Sequence, residues 1–242
     1  QYEAEKADSL EVGGHFGFAS GRGRANVTVF TTDYQDRQVQ TQIIDPVTGS
    51  QFFLFNNAAS SSIEGFEADV KYITESGVDL ALGMNYTDGQ YDSFDGAACF
   101  NIETRNGLCP NGTMDLSGTD FDGLPNWSIS GGAGYEVPIS SGLSLKLRAD
   151  FTIYDDFENT RPFAAQTPGN EYREQDGYTL VNLRAAITPE NGKWEVAVYG
   201  RNVTDELYWQ TQPGQIGIFG TAEATVSRPD SWGLSFRYNM GD

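Results

Sequence analysis

Apolar and polar residues alternate one for one along most of this chain. Leu143, Leu145, Leu147, Ala149, Phe151 and Ile153 share one parity, while Ser144, Lys146, Arg148, Asp150 and Thr152 share the other. The same period of two runs through Phe66, Ala68, Val70 and Tyr72, and through Val78, Leu80, Leu82, Met84 and Tyr86. It returns at Trp127, Ile129, Gly131, Ala133, Tyr135 and Val137, and at Trp232, Leu234, Phe236, Tyr238 and Met240. Successive side chains of a strand point to opposite faces, so this period marks strands with one apolar and one wet face. No comparable segment repeats apolar residues at helical spacing. The pattern predicts an all-β antiparallel chain with strands over about 8–19, 23–42, 51–74, 78–92, 125–138, 142–157, 174–188, 193–208 and 229–241.

The connections carry as much information as the strands. Ser20-Gly21-Arg22, Glu75-Ser76-Gly77, Ile139-Ser140-Ser141 and Pro189-Glu190-Asn191-Gly192 have the Gly, Asn, Pro and Ser content of tight turns. Long connections over 43–50, 93–124, 158–173 and 209–228 lie between them, so short and long alternate throughout. In an antiparallel sheet this rhythm puts every tight turn at one end and every long loop at the other. Transmembrane β-barrels are built this way, with short periplasmic turns and long extracellular loops. A membrane-crossing strand needs roughly 9–11 residues, and each predicted strand supplies them. Aromatic residues near segment ends (Tyr34, Tyr86, Tyr91, Trp127, Tyr154, Trp194, Tyr208, Trp232) suit interfacial girdles. The rival architecture is a soluble acidic β-sandwich acting as a carbohydrate-binding module, whose strands also alternate. Mid-strand charges at Lys146, Arg148, Asp150, Arg184 and Arg237 favour a watery lumen on the second face.

Composition sharpens this picture. The 242 residues carry 15 Lys+Arg against 34 Asp+Glu, a formal charge of −19. Such a chain repels phosphate backbones, which argues against nucleic-acid partners. No run of 18 or more apolar residues exists, so no segment reads as a transmembrane helix. A mean hydropathy of −0.44 does not conflict with a membrane barrel, because half of each strand is meant to be wet.

Specific motifs then point to one family. Gly200-Arg201-Asn202-Val203-Thr204-Asp205-Glu206-Leu207-Tyr208 resembles the N-[LV]-[TF]-[DN]-x-x-Y element on the penultimate strand of TonB-dependent receptors. Arg228-Pro229-Asp230-Ser231-Trp232-Gly233-Leu234-Ser235-Phe236-Arg237-Tyr238 is similar to that family's last strand. Glu5–Gly13, Val29–Asp36 and Ile63–Glu67 resemble three earlier barrel elements, in the family's order. The resemblance implies that residues 1–242 are the C-terminal portion of a receptor barrel, an antiparallel transmembrane β-barrel of about 22 strands. About nine of those strands lie here, and the plug domain and TonB box are expected outside this chain. An odd number of strands cannot close antiparallel, so the remaining strands and plug must come from the same or another chain.

The same resemblance implies a function. Such receptors sit in the bacterial outer membrane among its lipids and bind a scarce solute at their extracellular loops. Siderophores, cobalamin-like molecules and carbohydrates are the solute classes it implies. Import is driven by the TonB complex pulling on the plug, with no covalent chemistry, cofactor or resident metal. In that setting Cys99 and Cys109 are expected to close their loop as a disulfide in an oxidising compartment. Phe163, Tyr172, Trp209 and Phe219, with Tyr208, are candidates for stacking on a ring-bearing solute, or else for anchoring the barrel rim. The loop acids Asp92, Asp95, Glu103, Asp115, Asp120, Asp122, Asp155, Asp156 and Glu158 read as solvated surface before calcium ligands. The single histidine, His15, is on a polar strand face, and no GxSxG element accompanies it, which argues against a lipid hydrolase.

Overall fold

The computed structural model describes residues 3–44, 47–48, 51–109, 112–140, 142–160, 173–210 and 224–240. Its strands are β1 (Lys6–Phe18), β2 (Gly23–Ile44), β3 (Gln51–Ile73), β4 (Asp79–Ser93), β5 (Asp95–Ala98), β6 (Thr113–Asp115), β7 (Trp127–Ser140), β8 (Leu143–Tyr154), β9 (Phe157–Glu158), β10 (Glu174–Gln175), β11 (Tyr178–Pro189), β12 (Trp194–Arg201) and β13 (Ser231–Tyr238). One short helix, α1 (Asn101–Arg105), interrupts the connection between β5 and β6. The long strands pair antiparallel with their chain neighbours, in the order β1, β2, β3, β4, β7, β8, β11, β12, β13. All nine predicted strands are present, and their sheet is a partial barrel that does not close. Among the described residues β1 pairs only with β2, and β13 only with β12. Both edge strands run from the loop end to the turn end, so they cannot complete an antiparallel ring together.

Residues directly opposite on neighbouring strands share a face, so the register sorts every side chain. The row Val12, Val29, Phe66, Tyr86 and Trp127 runs straight across five strands. The row Leu80, Ala133, Ala149, Leu183, Gly200 and Trp232 lies on the same face. No charge interrupts this face between its aromatic borders. At the loop end Phe66, Tyr86 and Trp127 pack ring to ring, with centroids 4.7–6.0 Å apart. One pair further out, Glu64 stands opposite Asp88 and the apolar band has ended. At the turn end Tyr72 stacks on Phe18 at 5.9 Å. The run from Leu143 to Ile153 covers about 33 Å along the strand, which a tilt of about 40° reduces to roughly 25 Å of apolar height. That height matches a membrane barrel's outer band. Leu234 is 77% exposed and Phe236 68% exposed on it, where a β-sandwich would cover such side chains with a second sheet.

The opposite parity is polar. Arg148 binds Asp150 at 2.6 Å and Asp79 at 3.7 Å, Lys146 pairs with Glu136 at 3.6 Å, and Arg184 pairs with Glu195 at 2.6 Å. These partly exposed pairs each contribute no more than about 1 kcal/mol. Their weight is in marking the lumen face. Four of the aromatics expected at the girdle belong to this face or to the loops above it. Tyr34, Tyr91 and Tyr154 have the polar parity, and Tyr208 follows β12 beyond the sheet.

The eighth strand stops at Arg201 instead of 208. Asn202 adopts φ 48° there, which breaks the ladder. β2 and β3 do the reverse and project beyond the membrane band as a hairpin of about 40 Å. A bulge interrupts it between Tyr34 and Arg37, with Asp36 at φ 56°. Asp tolerates this left-handed conformation better than most residues.

Candidate functional site

β1 stops pairing with β2 at Gln35, so the edge of the projecting hairpin above that point is open. The chain leaving β4 fills it. It crosses β3 and β2, and β5 pairs with the free edge through Thr41 and Ala97, with β6 beyond it. Phe94 is buried under the crossing against Val39, Ala59, Ala97 and Leu116, forming a small core above the membrane. The chain then returns beside the upper end of β4, where β7 no longer reaches. Phe121 donates its N–H to Gly89, Tyr91 donates to Thr119, and Gln90 bridges Asp120. A side chain at Gly89 would meet the Phe121 ring at 2.8 Å, so only glycine lets the loop lie this close. Unpaired backbone polar groups are costly, and this path satisfies them.

Arg37 is the centre of the resulting mouth. Its guanidinium lies 4.5 Å from the Phe121 ring centre and 5.2 Å from that of Tyr91, and it donates to the Ser61 hydroxyl at 3.1 Å. Tyr91 and Phe121 meet edge to face at 4.9 Å. A cavity of about 650 Å³ opens beside them, bordered by Gln38, Gln40, Asn101, Asp122, Phe94 and Phe100, among others. It combines aromatic faces, amide groups, one cation and one carboxylate, the mixture with which small-molecule sites fix orientation.

The other long loops lock onto this one. Gly123 donates to the Glu158 carbonyl at 2.6 Å, and Arg173 forms an ion pair with the Glu158 carboxylate. Burial pulls the Arg173 guanidinium below its ordinary pKa, opposed by the nearby carboxylates of Glu174 and Asp122. Gln175 is buried, and its side-chain oxygen accepts the Trp209 N–H at 2.8 Å. Tyr178 stacks flat on Tyr208 at 4.3 Å, and Tyr154 lies tilted against it at 5.0 Å.

The sequence candidates fare differently. Cys99 and Cys109 are brought together as a cross-link with Cα atoms 6.5 Å apart, and Cys99 borders the cavity. Trp209 sits at the base of the last loop, bridged to Val226, and does not border the Arg37 cavity. Phe163, Tyr172 and Phe219 lie outside the described residues. Several loop acids are engaged locally. Glu103 is buried and caps α1 by accepting the Phe100 N–H at 2.7 Å, and Asp92 accepts the Ser62 hydroxyl at 2.8 Å. The Ser117 hydroxyl and N–H hold the Asp115 carboxyl below the usual carboxylate range. Among the described residues no three His, Cys, Asp or Glu side chains converge as a metal cage. His15 shares its Nδ1 hydrogen bond with Asn26 at 2.7 Å, an amide instead of a hydroxyl nucleophile, and Asn26 donates to Asp69.

Arg37 and Phe121 were not singled out by sequence reasoning. Their signal was available in an arginine placed where a strand outruns the membrane, and an aromatic between two loop aspartates.

Residues 1–203 match the family model for the TonB dependent receptor-like β-barrel. Among solved structures, the ferric yersiniabactin uptake receptor FyuA from Yersinia pestis superposes with a TM-score of 0.68 at 15% identity, over 97% of this chain and 30% of its own. The FrpB iron transporter from Neisseria meningitidis gives 0.62 at 14% identity, over 98% and 31%. The outer membrane transporter YddB from Escherichia coli gives 0.62 at 12% identity, over 97% and 32%. The chain therefore spans about a third of the length of these transporters. The uncovered apolar face, the wet inner face and the folded loops at one end are accounted for together, because the chain belongs to the TonB-dependent receptor β-barrel family, whose members are transporters and not enzymes.

Proposed function

We propose that this chain is the C-terminal wall of an outer-membrane receptor that captures a ferric chelate and imports it with TonB-derived energy. The observation that carries this reading is the Arg37 mouth: a cavity of about 650 Å³ at the loop end of a membrane-type sheet, above a polar inner face. Two structural relatives, a ferric yersiniabactin uptake receptor and an iron transporter, suggest the solute class. The remaining strands and the plug come from the rest of the receptor, and the TonB complex acts through that plug. In this reading Cys99 and Cys109 form a disulfide that fixes the cavity wall, and Trp209 belongs to the loop scaffold. The mechanism needs no bond chemistry in this chain. The mouth holds solute in place, and the charged inner face contacts the plug as it moves.

Uptake of radioactive iron tests this directly, using the full receptor in a Gram-negative host stripped of its own iron receptors. With culture-supernatant siderophores as the probe, the receptor should restore uptake, and collapsing the proton gradient should abolish it. Iron uptake equal to that of the empty host would overturn the proposal.

A further inference from the structure

We infer that the membrane-facing surface carries a seat for one acyl chain of a phospholipid from the turn-side leaflet. Two hollows of about 500 and 570 Å³ indent the apolar face and adjoin, sharing Ala133 and Ala149. The first is walled by Tyr135, Leu147, Leu183, Val198 and Trp232. The second is walled by Tyr72, Leu80, Leu82, Phe151 and Val181. Together they form one trough running obliquely from Tyr72 and Val78, beside the turn over 74–78, to Trp232 at the loop end of β13.

The reason for a seat is shape. Inside a bilayer no water is released when apolar surfaces meet, so a flat wall holds no particular lipid. Dispersion contacts are individually small but additive. A chain lying in a trough touches protein on several sides, whereas an unfilled trough forfeits those contacts. The trough is continuous with the membrane-facing surface already described, which makes lipid its occupant. Its lower end selects the leaflet. There it opens at Tyr72 and Tyr135, ring types that favour the interface. The nearby turn carries the Thr74 and Ser76 hydroxyls, and an Arg22–Glu75 ion pair of 3.0 Å, at headgroup level.

The test uses the intact receptor purified in mild detergent and examined by native mass spectrometry, with phosphatidylethanolamine as the probe. Ala149→Leu and Ala185→Leu fill the trough from two different strands. Val29→Leu makes a similar change on the same face outside it. Wild type and Val29→Leu should retain one phospholipid, and each filled variant should lose at least five-fold in occupied fraction. Phosphatidylethanolamine added back to delipidated protein should restore occupancy in wild type only. Filled variants that hold lipid as wild type does, or a wild type that holds none, would contradict the seat. A wild-type dimer that the filled variants dissociate would assign the trough to a second copy, and would also overturn it. The inference rests on this face meeting lipid. Heat-modifiable gel mobility reports the membrane barrel independently, so failure of that premise is separable from failure of the seat.

Discussion

Asn202 shows how one residue can set where a strand ends. At φ 48° it occupies a left-handed conformation that costs most side chains about 1–3 kcal/mol. Its amide repays this locally, because Oδ1 accepts the Glu206 N–H at 2.9 Å while Nδ2 donates to the Glu206 carbonyl at 2.8 Å. Nδ2 also reaches the Arg228 carbonyl at 3.3 Å, joining the two ends of the last long loop. Asn202→Ala should therefore speed amide exchange at Glu206 by about 5–30-fold, equivalent to roughly 1–2 kcal/mol. Asn202→Gly, which relieves the backbone but restores no hydrogen bond, should fall between; equal exchange in all three proteins would refute the role. Arg37 works by a different force, holding two rings at once. Cation–π contacts at such half-exposed sites contribute about 0.5–1 kcal/mol each. Arg37→Met should accelerate exchange at the Phe121 amide by roughly 5–30-fold while leaving mid-strand amides unchanged. An unchanged Phe121 rate would mean that the loop stays closed without the arginine.

At the scale of elements, the two faces of each strand make opposite predictions. Leu147 points into the apolar band, whereas Ser130, opposite Thr152 on the neighbouring strand, points to the polar face. Leu147→Arg should destabilise the folded barrel by about 2–4 kcal/mol in lipid vesicles, and Ser130→Arg by much less. Similar costs for both would contradict the assignment of faces. The loop between β4 and β7 should respond to redox instead. Its cysteines enclose a separation of 10 residues, and closing such a loop contributes about 2–3 kcal/mol in the chain-entropy account. Reduction should therefore speed trypsin cleavage after the exposed Arg105 while the barrel strands stay resistant; no change in cleavage would remove the structural role. Strand existence and parity were legible in the sequence because period-two alternation is local. The end of β12 was not, because Asn202 sets it through its left-handed backbone and its amide hydrogen bonds, which leave no periodic mark. The short elements β5, α1 and β6 were also invisible. Their positions depend on the free upper edge of β2, which is distant in sequence and appears only once β1 has ended.

For the whole molecule, the family motifs and turn rhythm located the mouth without building it. They indicated which loops gather at one end, but not that Arg37 would stand between Tyr91 and Phe121. That arrangement needs the Asp36 bulge and the crossing chain together, and neither has a periodic signature. The aromatic candidates lie on the later loops or at their bases, whereas the cavity takes its rings from Tyr91 at the upper end of β4 and from Phe94 and Phe100 on the crossing chain. The open edges at β1 and β13 make the sheet a wall that needs further strands. Its central claim is that one face of this wall meets lipid and the other meets water. Single tryptophans placed in turn from Leu147 to Thr152, in an otherwise tryptophan-free full receptor, test this most directly in vesicles of brominated phospholipid. Quenching by bromine should be strong at 147, 149 and 151 and weak at 148, 150 and 152, with aqueous acrylamide giving the reverse. Bromine quenching at none of these positions, or equally at all six, would contradict a membrane-spanning wall.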